Sequence, residues 1–308
     1  MKVFREQSVR ARWCIFTSLT AASVAISAKN LWLLAQFTHA SAEYSYIGLV
    51  LPISIAFVYY GRAEVFSRPQ PRFRWGIAAM IPIVLAALAS HEGMPTLTVD
   101  QHLSIDLLLL VSFWIVAFCS CFGFPAAKKA LFPLLFLYFL VPAPEPLMGR
   151  IVSVLQHQSA NAADVLFQTA DVPVIRQGHV FVLARQQIEV AKECSGIRSS
   201  TALLITALVF GHLFLRSKFN KAALAAIVVP LAIVKNGVRI FTLSVLATYV
   251  DPVFLSGPLH HEGGIVFFLP TLGALIVVLL LLRKLERPCP VVAPPPRRDA
   301  AMDTSTRD

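Results

Sequence analysis

The stretch Glu193-Cys194-Ser195-Gly196-Ile197-Arg198-Ser199-Ser200 opens an apolar run that extends from Thr201 to Phe214. With its flanks, this run is long enough to cross most of a bilayer. The sequence therefore places a cysteine at the entrance of a membrane helix. The N-terminus of a helix favours thiolate over thiol, and Arg198 adds a full positive charge. Cys194 is either a nucleophile at a membrane surface or a small packing residue, and this stretch alone leaves both readings open.

The composition identifies the class of protein. Of the 308 residues, 56% are hydrophobic and only 14% are charged, and the mean hydropathy is +0.68. A soluble domain would carry about 25% charged residues. The chain is therefore predicted to be an all-α polytopic membrane protein. Its net charge of +10 needs no nucleic acid, because basic loops facing the cytoplasm and anionic lipid explain it.

The cysteines and the N-terminus exclude several other features. The five cysteines do not show the C-x2-C spacing of a zinc site, and a disulfide framework is not expected. We predict no metal and no cofactor. The first apolar run is interpreted as a retained helix rather than a cleaved signal peptide.

Hydropathy and helix breakers predict about eight transmembrane helices. The predicted spans are 13–37, 46–60, 75–89, 104–121, 130–141, 195–215, 222–248 and 265–282. A kink is predicted at Pro230 within the seventh span. Residues 1–285 form the predicted transmembrane domain, and residues 286–308 form a proline-rich cytoplasmic tail that is expected to be disordered.

The longest predicted segment that does not span the membrane lies between spans five and six. Residues 147–167 show apolar residues near helical spacing, which predicts a short periplasmic amphipathic helix at the membrane surface. Residues 172–190 alternate, which favours two or three short strands, a small β-like region. An irregular loop is the alternative for this second part.

The distribution of basic residues predicts the orientation. Most of the 27 lysines and arginines fall at the N-terminus, in the loops after spans two, four and six, and after span eight. The positive-inside rule then puts both termini in the cytoplasm. In this orientation Cys194, Arg239 and the pair His260 and His261 lie on the same outer face of the membrane.

Each of these residues has a chemical and a structural interpretation. Arg239 inside a span is energetically costly, so it either stabilises a thiolate or an oxyanion or extends to the interface. Asn236 precedes it by three residues and shares its helix face. His260 or His261 can act as general base and acid near a thiol, or be an exposed loop residue. Glu193 is interpreted as a solvated or orienting group.

Several ordered motifs are similar to those of one known family. The block 193–199, the Asn-x-x-Arg-Ile block 236–240 and the His-x-x-Gly-Gly block 260–264 resemble the three signature blocks of the exosortase/archaeosortase family. Residues 44–52 resemble its early Tyr-Ser segment, and residues 132–144 resemble its middle helix. The resemblance covers about residues 40 to 284.

The resemblance implies a multi-pass cysteine endopeptidase or transpeptidase of the bacterial inner membrane, with its active site facing the periplasm. Its implied substrates are exported proteins that end in a short motif such as Pro-Glu-Pro, a transmembrane helix and a basic tail. Membrane lipid surrounds it. Cys194 would be the nucleophile, Arg239 the oxyanion stabiliser and His260 the acid/base, with His261 in reserve. Glu193, Arg198 and Asn236 would support them.

Two other functions fit the residues. A transporter or channel would use Lys235 and Arg239 as charges along its path, although no paired broken helices occur at repeat positions. A polysaccharide-related membrane transferase would also place polar groups at the outer face, without requiring a cysteine. Substrate identity, the acyl acceptor, the need for a partner and the oligomeric state are not specified by the sequence.

Overall fold

A computed structural model of the chain describes residues 2–40, 42–67, 69–93, 98–184, 186–190, 196–255 and 264–286. Helices dominate this part of the chain, as the composition predicts. The predicted disordered tail lies outside the described residues, apart from its first residue. Glu286 is anchored by hydrogen bonds that are described below.

The N-terminal half contains the first six helices. They are α1 (Lys2–Ile26), α2 (Ala28–Ala40), α3 (Ile47–Tyr60), α4 (Arg62–Val65), α5 (Phe73–Gly93) and α6 (Val99–Phe122). Thr98 begins α6 with a capping box, in which its hydroxyl and the Gln101 side chain each accept a bond from the other's backbone N–H. The first predicted span, 13–37, is broken between α1 and α2 by a bend of 71°.

Polar side chains tie these N-terminal helices together. Asn30 on α2 donates to Asp106 Oδ2 on α6 at 2.8 Å, and Ser90 on α5 donates to Asp106 Oδ1 at 3.2 Å. Trp114 on α6 donates to the Ser23 hydroxyl on α1 at 2.9 Å. Each bond joins different helices, so these groups fix how the helices sit against one another.

The middle of the chain turns sharply. Helices α7 (Phe124–Lys129) and α8 (Leu131–Phe136) lead into a 3₁₀ turn, Leu137–Leu140, and then into α9 (Glu145–Thr169), with a 95° bend before α9. The helix predicted at 147–167 is present but longer than predicted. It packs along α11, introduced below, so the predicted surface helix contributes a buried face to the bundle.

A small antiparallel sheet follows α9. Its strands are β1 (Ile175–Gln177), β2 (Val180–Val182) and β3 (Gln187–Glu189), in the order β1-β2-β3. Phe181, in the central strand, pairs with Arg176 and Ile188 and is fully buried. It packs in one cluster with Phe167 of α9 and Ile240 of α11. The sheet is thereby fastened to the helices that surround the candidate site.

The C-terminal half adds α10 (Ile197–Phe214), α11 (Lys218–Tyr249) and α12 (Gly264–Leu285). The Glu286 carboxylate accepts bonds from the backbone N–H groups of Arg216 and Ser217 at 2.9 to 3.0 Å and from Asn220 Nδ2 at 3.1 Å. It satisfies donors at the start of α11 that the helix itself leaves unpaired. The end of α12 is thus clamped to the start of α11.

The helices indicate a multi-pass membrane protein with fewer established spans than the eight predicted. Within the described residues, five helices are long and apolar enough to cross a membrane, or up to seven if each bent pair is one span. The second predicted span corresponds to α3, which has only 14 residues, whereas a straight crossing needs about 20. The fifth corresponds to α8 and its 3₁₀ turn, which reach sufficient length only together with the bent α9.

Candidate functional site

The candidate site lies at the start of α10. Gly196 precedes the helix with φ of +73°, a left-handed conformation that glycine adopts without strain. The Ser199 and Ser200 hydroxyls donate to the Gly196 carbonyl at 3.0 and 2.8 Å. Helix α10 begins at Ile197, directly after this turn. Arg198 is exposed.

One face of α11 closes against this turn. Lys235, Asn236 and Gly237 are all buried, with Asn236 only 1% exposed. A Cβ added to Gly196 would lie 3.1 Å from Asn236 Cγ and 3.5 Å from Lys235 Nζ. Lys235 Nζ also donates to the Ser199 hydroxyl. The first turn of α10 is therefore held by side chains from the middle of α11.

A close helix contact fixes the position of this face. A Cβ on Gly237 would lie 2.6 Å from Ala162 Cβ on α9. Only glycine permits this separation, which brings the backbones of α9 and α11 together. Gly237 lies between Asn236 and the half-buried Arg239, so the contact with α9 sets the depth of both polar residues.

Val190, the last described residue before Gly196, is held by two hydrogen bonds. Val190 N–H donates to the His179 carbonyl at 2.9 Å, and Gln156 Nε2 on α9 donates to the Val190 carbonyl. Glu193 and Cys194 lie outside the described residues. Covalent geometry alone keeps the Cα of Cys194 within about 7.6 Å of the Cα of Gly196, because consecutive Cα atoms are about 3.8 Å apart.

The start of α12 lies at the same end of the bundle as Arg239. Arg239 lies 22 residues after Ser217, and Gly264 lies 22 residues before Glu286. The Glu286 bonds hold the two opposite helix ends together, and each residue is about 33 Å along its helix from that clamp. Arg239 and the start of α12 therefore lie at a similar level. His260 and His261 precede α12 and lie outside the described residues.

The early and middle segments singled out in the sequence contact each other near α10. The Tyr44 hydroxyl donates to the Ala143 carbonyl at 3.4 Å, and the Ser104 hydroxyl donates to the Pro142 carbonyl at 2.9 Å. The short 3₁₀ helix that ends at Tyr44 also packs against α10. These segments form a second wall beside the helix that carries the first signature block.

Comparison with known families gives an identification. The family model described as transmembrane exosortase (Exosortase_EpsH) matches residues 32–277. The chain belongs to the transmembrane exosortase family. The exosortases are membrane cysteine peptidases or transpeptidases that act on exported proteins with sorting signals. Neither a search of curated proteins nor a search of solved structures returned a match.

The sequence assigned no role at the candidate site to Lys235. It was considered only as a charge along a transport path, whereas the structure places its ammonium at the Gly196 turn. The signal was present in the sequence, because Lys235 and Arg239 are separated by four residues and share a helix face. The partner of Lys235, Ser199, was part of the first signature block but had no assigned role.

Proposed function

We propose that this exosortase cleaves the C-terminal sorting tails of exported proteins through an acyl-enzyme on Cys194. The observation that supports it is the joining of two signature blocks, with Asn236 of α11 packed on Gly196, two residues after Cys194. The third block enters at the level of Arg239 by helix length. The site faces the periplasm in the orientation that leaves both termini in the cytoplasm.

Each residue has a defined role in the reaction. The Cys194 thiolate attacks the scissile carbonyl carbon, and the Arg239 guanidinium stabilises the oxyanion that forms. The C–N bond then breaks, and His260, with His261 in reserve, gives a proton to the leaving amine. Water or an amine acceptor then attacks the thioester, which transfers the acyl group and frees Cys194. Asn236 supports the Gly196 turn, and Glu193 and Arg198 flank the nucleophile.

The geometry also fits the proposed class of substrate. A tail that carries its own transmembrane helix can lie beside the bundle in the bilayer, so that its scissile bond sits at the membrane surface. This is the level at which an outward-facing start of α10 would present the cysteine. The short motif before the substrate helix would then meet the wall formed by residues 42–44 and 142–144.

The test is processing of a co-expressed substrate. An exported reporter with a short motif, an apolar helix and a basic end is produced with the wild-type protein, Cys194→Ala or Cys194→Ser. Both variants should accumulate in the membrane and leave the tail uncleaved. Cys14→Ala, which changes an exposed cysteine on α1, is the matched control and should cleave normally. Cleavage that persists in Cys194→Ala rejects the proposed nucleophile.

The same assay separates hydrolysis from transfer. Intact mass of the released product shows a free carboxyl terminus if water resolves the thioester. An added mass at that carboxyl group identifies an amine acceptor. Either product requires Cys194, so the two outcomes refine the proposed reaction without altering the role of the cysteine.

A further inference from the structure

Lys235 is a buried cation that the proposed reaction does not use. It lies in the middle of α11, is 7% exposed, and donates from Nζ to the Ser199 hydroxyl. A charged side chain is costly inside a membrane and is seldom without a role there. A hydroxyl satisfies one of the three ammonium donors but does not neutralise the charge.

The ammonium lies against the turn that follows the candidate nucleophile. Lys235 Nζ would be 3.5 Å from a Cβ on Gly196, and Gly196 is two residues after Cys194. Lys235 thereby contacts α10 on both sides of its first turn, through Gly196 and through Ser199. Cys194 lies outside the described residues and is separated from Gly196 by two peptide units.

The other charges near Lys235 increase the positive potential of this corner. The Arg239 guanidinium, one helical turn further along α11, is close enough to repel the ammonium. The N-terminus of the 18-residue α10 adds its partial positive charge. Two cations and a helix N-terminus together favour an anion over a neutral group at the same place.

The other described charges and histidines on elements packed against α11 are exposed, paired with other groups or far along the helices. Glu145 and Arg150 on α9 are exposed, and His212 on α10 stacks on Phe132. Asp164 on α9 pairs with Arg176, Arg198 on α10 is exposed, Asp251 accepts from the Val253 N–H, and Arg283 and Lys284 lie at the opposite end of α12. His157 on α9 is exposed and stacks edge-on with His179. Among the residues that the structure describes, Arg239 is the charged neighbour that acts on Lys235.

We propose that Lys235 is a positioning residue for the nucleophile: its ammonium holds the Gly196 turn through Ser199 and favours the thiolate form of Cys194. This inference rests on the proposed function, since it assigns Lys235 a role only through Cys194. Loss of the charge must therefore change the pH dependence of the reactivity of Cys194. A lysine with a purely structural role would leave that pH dependence unchanged.

The experiment measures alkylation of Cys194 in membranes without substrate. The other four cysteines, Cys14, Cys119, Cys121 and Cys289, are replaced by alanine, and the rate of N-ethylmaleimide labelling is followed from pH 5 to pH 10. With Lys235 present, half of the maximal rate should be reached below the pH of about 8.5 that is typical of a free thiol. Lys235→Met should move this midpoint upward by about one pH unit, which is about tenfold less labelling at neutral pH.

Matched variants separate charge from packing. Lys235→Arg keeps the charge and should keep the wild-type midpoint. Lys218→Met removes an exposed lysine at the cytoplasmic start of the same helix and should also leave it unchanged. Where Lys235→Met does not accumulate in the membrane, Lys235→Gln replaces it, because an amide can still bond Ser199 without a charge.

Two results would overturn the inference. One is a wild-type midpoint at or above that of a free thiol, which can be measured even if no Lys235 variant accumulates. The other is a charge-free variant with an unchanged midpoint, whatever happens to its processing activity. Failure of the proposed function has a different signature, namely tail cleavage that persists in Cys194→Ala, and labelling does not depend on that result.

Discussion

The two halves of the bundle use buried polar groups differently. In the N-terminal half, from α1 to α8, buried and half-buried polar groups bridge helices in separated places, as Asn30 and Ser90 do with Asp106 and Trp114 with Ser23. In the C-terminal half, Lys235 and Asn236 gather at one corner with Arg239. Dispersed polar pairs hold helices together, whereas concentrated positive charge prepares a place for an anion. On the proposed function, the first half serves stability and the second half carries the chemistry.

The largest effect is expected from Arg239→Met. Loss of the proposed oxyanion stabiliser should lower the rate of tail processing about 100- to 1000-fold, because one donor to a developing oxyanion typically contributes that much. The measurement is cleavage of the co-expressed reporter, with membrane accumulation quantified in parallel. Arg198→Met, which changes an exposed arginine on α10, should lower the rate less than tenfold. If Arg239→Met processed the reporter at a rate within tenfold of wild type, Arg239 would not be the oxyanion stabiliser.

A smaller but combined effect on activity and stability is expected from Gly237→Ala. The new Cβ would lie 2.6 Å from Ala162 Cβ and 3.1 Å from the Ala163 backbone nitrogen, so α9 must move. Overpacking of this kind costs about 1–3 kcal/mol, and it displaces Asn236 and Arg239. We expect a lower melting temperature in detergent and about tenfold slower processing.

Gly273→Ala is the matched control for Gly237→Ala. A Cβ on Gly273 of α12 meets no atom within 4 Å, and alanine is the better helix former by about 1 kcal/mol. This variant should melt at or above the wild-type temperature and process normally. Equal behaviour of the two alanine variants would show that the contact between α9 and α11 does not position the site.

The N-terminal half should show the opposite pattern. Asp106→Ala removes the acceptor shared by Asn30 and Ser90, and hydrogen bonds between membrane helices are worth about 0.6 kcal/mol each on average. The melting temperature should fall, while processing per folded molecule stays within about twofold of wild type. Leu108→Ala, at an exposed position of α6, is the control for stability. If Asp106→Ala lost processing as strongly as Arg239→Met, the division between the two halves would be wrong.

Hydropathy located the helices of both halves but not their directions. The predicted spans at 104–121, 222–248 and 265–282 lie within α6, α11 and α12. In a bilayer, a long apolar segment must pair its own backbone N–H and C=O groups, and a helix does so. The 71° bend between α1 and α2 and the 95° bend before α9 were not predicted. Proline can mark a break, as Pro142 and Pro144 do before α9, but the size of each bend depends on the neighbouring helices.

For the described part of the candidate site, the sequence indicated residues but not the contacts between them. Ordered motifs indicated Asn236 and Arg239, and the structure places Asn236 against Gly196 of the first block. The left-handed turn at Gly196 and the bond from Lys235 to Ser199 were not predicted, since both depend on how α10 meets α11. Cys194, Glu193, His260 and His261 lie outside the described residues, so their predicted roles stay predictions.

The smallest effect is expected from Glu286, which joins the end of α12 to the start of α11. Hydrogen bonds from the backbone N–H groups of Arg216, the larger effect, and Ser217 hold the pKa of the Glu286 carboxyl below its usual value of 4.5. A lowered folded-state pKa means that Glu286 contributes its full stability above pH 4.5, and that this contribution is lost as the pH falls through the folded-state pKa. Glu286→Ala should therefore melt slightly below wild type at pH 7, and the gap should narrow towards pH 3.

The control for this prediction is Glu145→Ala, which removes another exposed carboxylate at the start of α9 and should show a smaller gap at pH 7. A gap between Glu286→Ala and wild type that is the same at pH 7 and pH 3 would mean that the charge does not cap α11. Processing at pH 7 should change less than twofold, because the clamp is about 33 Å along the helix from Arg239. The Glu286 clamp and the proposed catalytic site lie about 33 Å apart along the same helices, so a change at Glu286 should affect assembly without affecting the proposed chemistry.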